Sequence, residues 1–366
     1  IEKSNEKIFI YGKGLNSLTK PNKSIYLGNS GTSARLLTGL LASQDFETTL
    51  EGDHSLSSRP MARIMDPLKL MGAKFENISG TLPLKIIGKQ LAKEQVKING
   101  NISSQYISAL LLIAASLPNG LRIELIGEIT SIPYINMTLS LLNQIGITTS
   151  FKDQIIQVYP FEEAKKHTLE VESDWSSASY FYSIAALSSI GSEIRLSSYK
   201  KESLQGDAIL ANIYKSFGVE TVYETNSIIL RKTKEPSKEH LSIDLNKAPD
   251  IAQTIAVTCY GLRVSCELLG LHTLKIKETD RLVALQQELT KFGAQLSITE
   301  DSLTLHPFQG VMKSGVLVST YHDHRMAMAF APLAMKVPLS VEDPGVVAKS
   351  YPDFWNDLAL LGFQFS

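Results

Sequence analysis

Five glycines, Gly72, Gly146, Gly218, Gly293 and Gly362, stand 74, 72, 75 and 69 residues apart along the chain. Each closes an apolar, helix-like stretch and opens an alternating, strand-like one: KLMGAKFE, NQIGITTSF, KSFGVETVYE, TKFGAQLSI and LLGFQFS. Glycine is the residue that most readily ends a helix in a left-handed turn. A fixed period of this length marks stacked copies of one supersecondary unit. One period back from Gly72 falls just before Ile1, and the first residue is not methionine. The phase therefore predicts an array of six copies, of which five are present and the first lacks most of its residues.

Each period also holds an earlier helix, predicted over Thr32–Ala42, Gln105–Leu117, Ser176–Ser188, Ile251–Leu262 and His324–Met335. Most of these precede a β-rich run such as FETTLEGD, GLRIELIG or SEIRLSSY. The copy thus reads β-α-β-α-β-β, an α/β fold whose first helices are apolar enough to be buried on most sides. Pro160 and a charged run interrupt the pattern over residues 160–173, dividing the chain into a first lobe, 1–171, and a second, 172–366. Three copies on either side of that boundary make two similar lobes, a natural setting for small-molecule chemistry in a cleft.

With 36 basic and 37 acidic residues the chain has no global field for nucleic acid or an anionic membrane. Any anion site must be built locally. The two cysteines, Cys259 and Cys266, lie in an apolar stretch and read as buried thiols of a reducing compartment. No Cys/His group has zinc-like spacing, and no signal peptide or membrane span is recognisable. A cytoplasmic protein is the expectation.

Polar clusters recur at the starts of the helices. Gly28-Asn29-Ser30-Gly31-Thr32-Ser33 precedes a helix containing Arg35, and Ser103-Ser104-Gln105 opens the next. Ser131 and Tyr134 lie before the one after that. Such loops offer amides and hydroxyls to an anion, although N-caps and turns alone use the same residues. The second half supplies charge: Asp250, Lys277-Glu278-Thr279-Asp280-Arg281, Asp323-His324-Arg325 and Lys349. Singly each reads as a surface salt-bridge cluster. Their recurrence at repeat-equivalent helix starts points to an enzyme handling polyanionic small molecules without a metal, cofactor or covalent nucleophile. Arginines suit bidentate recognition of carboxylate or phosphate, and Asp250, Glu278 and His324 are candidate proton carriers.

At these residues the chain resembles the enolpyruvyl transferases, and among them the EPSP synthase family. The matching segments are LGNSGTSAR (27–35), SLSSRPM (55–61), SSQ (103–105), SIPY (131–134), DWSSASYF (174–181), PDIAQT (249–254), KETDRL (277–282), DHRMAM (323–328) and VVAKSYPDF (346–354). The resemblance implies two lobes forming an inside-out α/β barrel of βαβαββ copies. It implies transfer of the enolpyruvyl group of phosphoenolpyruvate to the 5-hydroxyl of shikimate 3-phosphate, by a monomer. Ser103, Ser104 and Ser131 would hold the phosphate of shikimate 3-phosphate, with Thr32, Gln105, Tyr134, Asp250, Thr273 and Lys277 around its ring. Arg281 and Arg325 would grip the carboxylate of phosphoenolpyruvate. Gly31, Arg59, Gln105 and Lys349 would face its phosphate. Glu278 would exchange the proton at C3, Asp250 would take the hydroxyl proton, and His324 would support the acid.

The family's N-terminal Lys-Ser…Arg segment has no counterpart, since Lys20 and Lys23 lie beyond its place. The expectation is that this chain alone, short of about 60–65 residues of a further copy, is inactive and poorly folded. Thr273 stands where many relatives have asparagine, and Leu36 where many have proline. Gly31 is retained where alanine in some relatives excludes glyphosate, so the complete enzyme is expected to be glyphosate-sensitive. Two alternatives are a UDP-N-acetylglucosamine enolpyruvyl transferase, which usually carries a first-lobe cysteine absent here, and a truncated, noncatalytic binding protein.

Overall fold

A computed structural model describes residues 2–3, 8–12, 14, 17–77, 79–161 and 167–365. The chain divides into two compact units. One comprises Ile1–Gly100, Gln105–Glu128 and Ile145–Lys165, the other Asn101–Ser104, Ile129–Gln144 and Lys166–Ser366. Of the boundary segment at 160–173, residues 162–166 lie outside the described residues.

After an antiparallel pair, β1 (Glu2–Lys3) and β2 (Ile8–Phe9), the first repeat runs β3 (Ile25–Tyr26), α1 (Gly31–Ala42), β4 (Glu47–Glu51), α2 (His54–Ser57), α3 (Ala62–Met71), β5 (Lys74–Glu76) and β6 (Leu84–Ile87). Its sheet has the order β3-β4-β6-β5. β3 and β4 are parallel, a pairing that needs a crossover such as α1, and β6 is antiparallel to both its neighbours. The second repeat has β7 (Gln95–Asn99), α4 (Ser104–Ala114), β8 (Leu121–Ile126), α5 (Ile132–Gln144), β9 (Thr149–Lys152) and β10 (Ile155–Val158). Its order β7-β8-β10-β9 is the same, again with the first pair parallel. The closing hairpin turns through Asp153 and Gln154, both at positive φ, the geometry that matches the strands' twist. Helix α5 clusters with the second unit.

The second unit continues with α6 (Trp175–Leu187), β11 (Glu193–Ser197), α7 (Leu210–Ile213) between two 3-10 turns, β12 (Val219–Glu224) and β13 (Ser227–Lys232). This sheet has only three strands, β11-β13-β12. Next come β14 (His240–Asp244), α8 (Ala252–Leu262), β15 (Ser265–Leu269), α9 (Arg281–Lys291), β16 (Leu296–Ile298) and β17 (Leu303–Leu305). Here the four-stranded order returns, β14-β15-β17-β16 with β14 and β15 parallel. The last repeat has β18 (Val316–Val318), α10 (His324–Phe330), β19 (Leu339–Val341) and α11 (Phe354–Leu360), its two strands parallel.

All five periodic glycines have positive φ, from 77° at Gly218 to 121° at Gly72. Gly218 is also sterically committed, since a Cβ there would fall 1.8 Å from the Lys234 carbonyl oxygen. The predicted first helices are present as α1, α4, α6, α8 and α10. The last is α-helical only to Phe330 and continues as a 3-10 turn over Ala331–Met335, where Pro332 lacks the N–H that would extend the ladder.

Helices α6 and α8 form the core of the second unit and are buried along nearly their whole length. Their buried hydroxyls satisfy one another: Ser179 pairs with Thr254 at 2.9 Å, and Thr258 donates to Ser183 at 2.8 Å. Gln253 is different. It is 1% exposed, and neither amide atom has a partner among the described residues. A buried amide left unpaired costs about 1–3 kcal/mol per group. Gln253→Met keeps the volume and removes both groups, so thermal unfolding should show a higher midpoint; a lower one would mean that a buried water satisfies the amide.

Candidate active site

In the first unit the chemistry gathers around the start of α1. Ser30 caps this helix, its side chain accepting from Ser33 N. The space a side chain would occupy at Gly31 is taken by two guanidiniums: a Cβ would meet Arg35 Nη1 at 2.3 Å and Arg59 Nη1 at 3.2 Å. Arg35 donates to Gln105 Oε1 at 2.9 Å and to the Tyr106 hydroxyl at 3.3 Å. It also stacks over the Tyr106 ring. Gln105 is oriented by its second bond, Nε2 to the Thr32 hydroxyl at 2.9 Å. Arg59 donates to Asn29 Oδ1 at 2.7 Å and reaches Ser55 at 3.3 Å. A helix N-terminus, a glycine and two nearly buried arginines held by neutral acceptors make a cradle for an anion.

In the second unit Arg281 is the centre. Its side chain is 2% exposed, because Asp280 caps α9 and sets Arg281 at the first helical position, facing inward. Nε donates to Asp323 Oδ2 at 2.7 Å, Nη1 to Asp250 Oδ1 at 2.9 Å and Nη2 to Glu278 Oε2 at 2.8 Å. The guanidinium is thereby held in its charged form. Asp323 has a second task as the N-cap of α10, accepting from Arg325 N at 2.9 Å. Cations close the ring: Lys277 lies 3.2 Å and Arg325 3.8 Å from Asp250, and Lys349 is bonded to Glu278. Burial would raise the Asp250 pKa, but Lys277, Arg325 and Arg281 outweigh it and hold the carboxyl far below the usual range. The Thr273 hydroxyl is buried without a partner among the described residues, the state expected of a group kept for a ligand.

The serines of the predicted phosphate site lie in the same unit. Thr130 donates to the Ile102 carbonyl at 3.2 Å, drawing the 101–104 segment beside the turn at Ser131. Ser131 has φ 56° and its carbonyl accepts from Tyr134 N at 3.0 Å, so the turn delivers Tyr134 to the first turn of α5. The Tyr134 hydroxyl donates to Asp207 Oδ1 at 2.9 Å. Asp207 carries no role in the sequence reading, nor does Asp323. The missed signal was positional: SLQGD, residues 203–207, occupies in its repeat the place that Ser131 and Lys277 occupy in theirs. Among the described residues no group of His, Cys, Asp and Glu is arranged to hold a metal, and no helix is long and apolar enough to cross a membrane.

The profile of the EPSP synthase (3-phosphoshikimate 1-carboxyvinyltransferase) family matches residues 1–358. The chain belongs to the EPSP synthase family. It is 42% identical over 356 residues to 3-phosphoshikimate 1-carboxyvinyltransferase of Bacteroides fragilis, covering 95% of this chain and 86% of that one. With the Mannheimia haemolytica enzyme it shares 31% over 374 residues, 99% and 85% of the two chains. The crystal structure of EPSP synthase from Acinetobacter baumannii superposes with a TM-score of 0.76 at 26% identity, over 96% of this chain and 81% of that one. The enolpyruvyl transferase NikO from Streptomyces tendae shares the fold at a TM-score of 0.67, with 13% identity over 89% of this chain and 75% of that one. The predicted α/β fold of repeated βαβαββ copies is that of these proteins. The activity is the family's: transfer of the carboxyvinyl group of phosphoenolpyruvate to shikimate 3-phosphate in the shikimate pathway.

His324 shows what the EPSP synthase site costs in stability. Burial first, then the adjacent Arg325, pushes the imidazole pKa down to about 3. A histidine in the unfolded chain titrates near ~6.5. As pH falls below that value the unfolded chain gains a proton that the folded protein refuses until about 3. The stabilisation present above the unfolded pKa is therefore lost across this window. Denaturant titrations at pH 7 and pH 5 should show a smaller loss for His324→Gln than for the parent; an equal loss would show that His324 is protonated in the folded protein.

Proposed function

We propose that the two clusters divide the substrates between them as follows. The Gly31, Arg59 and Gln105 cradle takes the phosphate of phosphoenolpyruvate, and Thr32 borders the shikimate ring beside Gln105. Ser103, Ser104 and Ser131 hold the phosphate of shikimate 3-phosphate, with Tyr134, Asp250, Thr273 and Lys277 about its ring. Arg281 and Arg325 take the phosphoenolpyruvate carboxylate, and Lys349 its phosphate. The observation that carries this assignment is the Arg281 cluster, in which every cation is already paired to a carboxylate of the catalytic set. Substrate anions enter by exchange: a carboxylate or phosphate that draws Arg325 or Lys349 to itself loosens that cation's hold on Asp250 or Glu278.

The exchange matches the chemistry. Addition to the enol double bond needs a base at the 5-hydroxyl and an acid at C3, and elimination needs cations about the departing phosphate. Asp250 is a poor base while Lys277, Arg325 and Arg281 surround it, and becomes a better one as anions recruit those cations. Glu278, released by Lys349, serves the C3 proton. His324, neutral at working pH, supports it through its ring rather than as a cation. No metal or redox cofactor is needed by these steps. We place the protein in the cytoplasm, a setting that the reduced, buried Cys259 and Cys266 fit, and take it as a monomer from the family resemblance alone. With glycine at position 31 letting Arg35 and Arg59 approach the start of α1, glyphosate should compete with phosphoenolpyruvate.

The test is phosphate release from phosphoenolpyruvate, with and without shikimate 3-phosphate. Asp250→Asn and Glu278→Gln should each lower kcat by about 10²–10⁴-fold, with glyphosate inhibiting the parent competitively against phosphoenolpyruvate. Near-parental kcat in either variant would remove that residue from the proton transfers. Release that depends on UDP-N-acetylglucosamine instead would overturn the substrate assignment.

A further inference from the structure

Asp207 has no part in the mechanism above, yet its surroundings are built with care. It is 1% exposed. Oδ1 accepts from the Tyr134 hydroxyl of α5, and Oδ2 from the Ser176 hydroxyl in the first turn of α6. The turn that carries it is pinned on both sides. At Gly206 a Cβ would lie 2.7 Å from the Lys247 carbonyl oxygen and 3.2 Å from Pro133 Cβ, so only glycine lets the turn press against the start of α5. Gln205 ties the same turn to α6, accepting from Trp175 N at 2.9 Å and donating to the Ser173 carbonyl at 2.8 Å.

Stability does not account for a carboxylate at this point. No cation among the described residues forms an ion pair with it, and burying an unpaired carboxylate is costly. An asparagine would satisfy the same two hydroxyls, accepting from one and donating to the other. What a carboxylate alone does is accept on both oxygens. Both hydroxyls must then donate to it, and the Tyr134 oxygen has only lone pairs left to offer elsewhere.

We propose that Asp207 is a positioning residue for shikimate 3-phosphate: by taking the protons of Tyr134 and Ser176 it fixes Tyr134 as a hydrogen-bond acceptor toward the hydroxyls of the substrate ring. This rests on the assignment of Tyr134 to that ring. The charged and titratable groups that face Asp207 are Tyr134 from α5, Asp250 from the turn before α8 and Arg325 from α10. Burial, then Asp250, push its pKa up to about 6. A proton taken up there must be donated to one of the two hydroxyls, which reverses and turns Tyr134 or Ser176 into an acceptor of that proton. The direction of the Tyr134 bond is thus a choice made by Asp207.

The experiment compares the parent, Asp207→Asn, Tyr134→Phe and the double variant, measuring kcat and KM for shikimate 3-phosphate between pH 5 and pH 8. At pH 7.5 Asp207→Asn should raise that KM about fivefold to tenfold, the worth of one directed hydrogen bond, with kcat held within about twofold. Tyr134→Phe should do the same, and the double variant should add nothing. The KM ratio of Asp207→Asn to parent should shrink toward one below about pH 6, which separates Asp207 from the titration of the substrate phosphate common to both proteins. The thermal midpoint of Asp207→Asn should equal or exceed the parent's. An unchanged KM, or additive effects in the double variant, would overturn the proposal. A second readout needs no substrate. With 3-fluorotyrosine at position 134, the 19F resonance should titrate near pH 6 in the parent and should be shifted at pH 7.5 in Asp207→Asn; a resonance at pH 7.5 that the substitution leaves unmoved overturns the proposal whatever the activity. A titrating resonance that added shikimate 3-phosphate leaves unmoved overturns instead the assignment of Tyr134 to that ring.

Discussion

The buried guanidinium of Arg281 is the constraint on which the second unit's site depends. A fully desolvated arginine survives only if its donors are matched, and here Asp323, Asp250 and Glu278 match them from three separate segments. Each of those carboxylates does a further local task. Asp323 caps α10 and so orients His324 and Arg325; Asp250 collects Lys277 and Arg325; Glu278 collects Lys349. Removing one partner from such a cluster leaves an uncompensated charge and costs about 3–5 kcal/mol. The cluster therefore couples stability to site geometry: what holds α9, α10 and the turn before α8 together is the set of groups that we propose meets the substrates.

Two aspartates in this unit show how neighbours decide a carboxylate's behaviour. Asp250 is surrounded by cations and stays ionised far into the acid range. Asp207 is the more deeply buried of the two and has only hydroxyls bonded to it, and its pKa rises to about 6. Environments that push two carboxylates apart are the usual mark of divided roles in a site. Ionised Asp250 suits proton abstraction once its cations are drawn away. Asp207 suits the fixing of a neighbour's proton.

The repeat was legible because its physical cause is local. A helix that must end sharply before a strand needs a left-handed residue, so the glycines at 72, 146, 218, 293 and 362 mark the period directly. The buried first helices followed from their apolar surroundings, and the charge clusters of the second half from their recurrence at helix starts. Other features depend on tertiary facts that spacing does not carry. That the sheet of β11, β12 and β13 has three strands, and that α5 clusters with the second unit, are outcomes of packing. The polar cluster at Ser203–Asp207 obeys the same positional rule as the others, but it holds one charge and no arginine, and so resembled an ordinary turn. Arg281 was legible as one of the charges clustered at a helix start; its saturation by three carboxylates was not, because Asp250 and Asp323 are 31 and 42 residues away from it.

Nuclear magnetic resonance of the Arg281 guanidinium, assigned by its loss in Arg281→Lys, tests this constraint most directly. A guanidinium bonded to three carboxylates should show resolved Nε and Nη signals, slow rotation about the Nε–Cζ bond and protection from solvent exchange. The same signals should shift when shikimate 3-phosphate and glyphosate are added together, as the surrounding carboxylates give up cations to the ligands. A single averaged, rapidly exchanging Nη signal would contradict the account, since it would mean that Arg281 is solvated and that nothing in the second unit is organised around it.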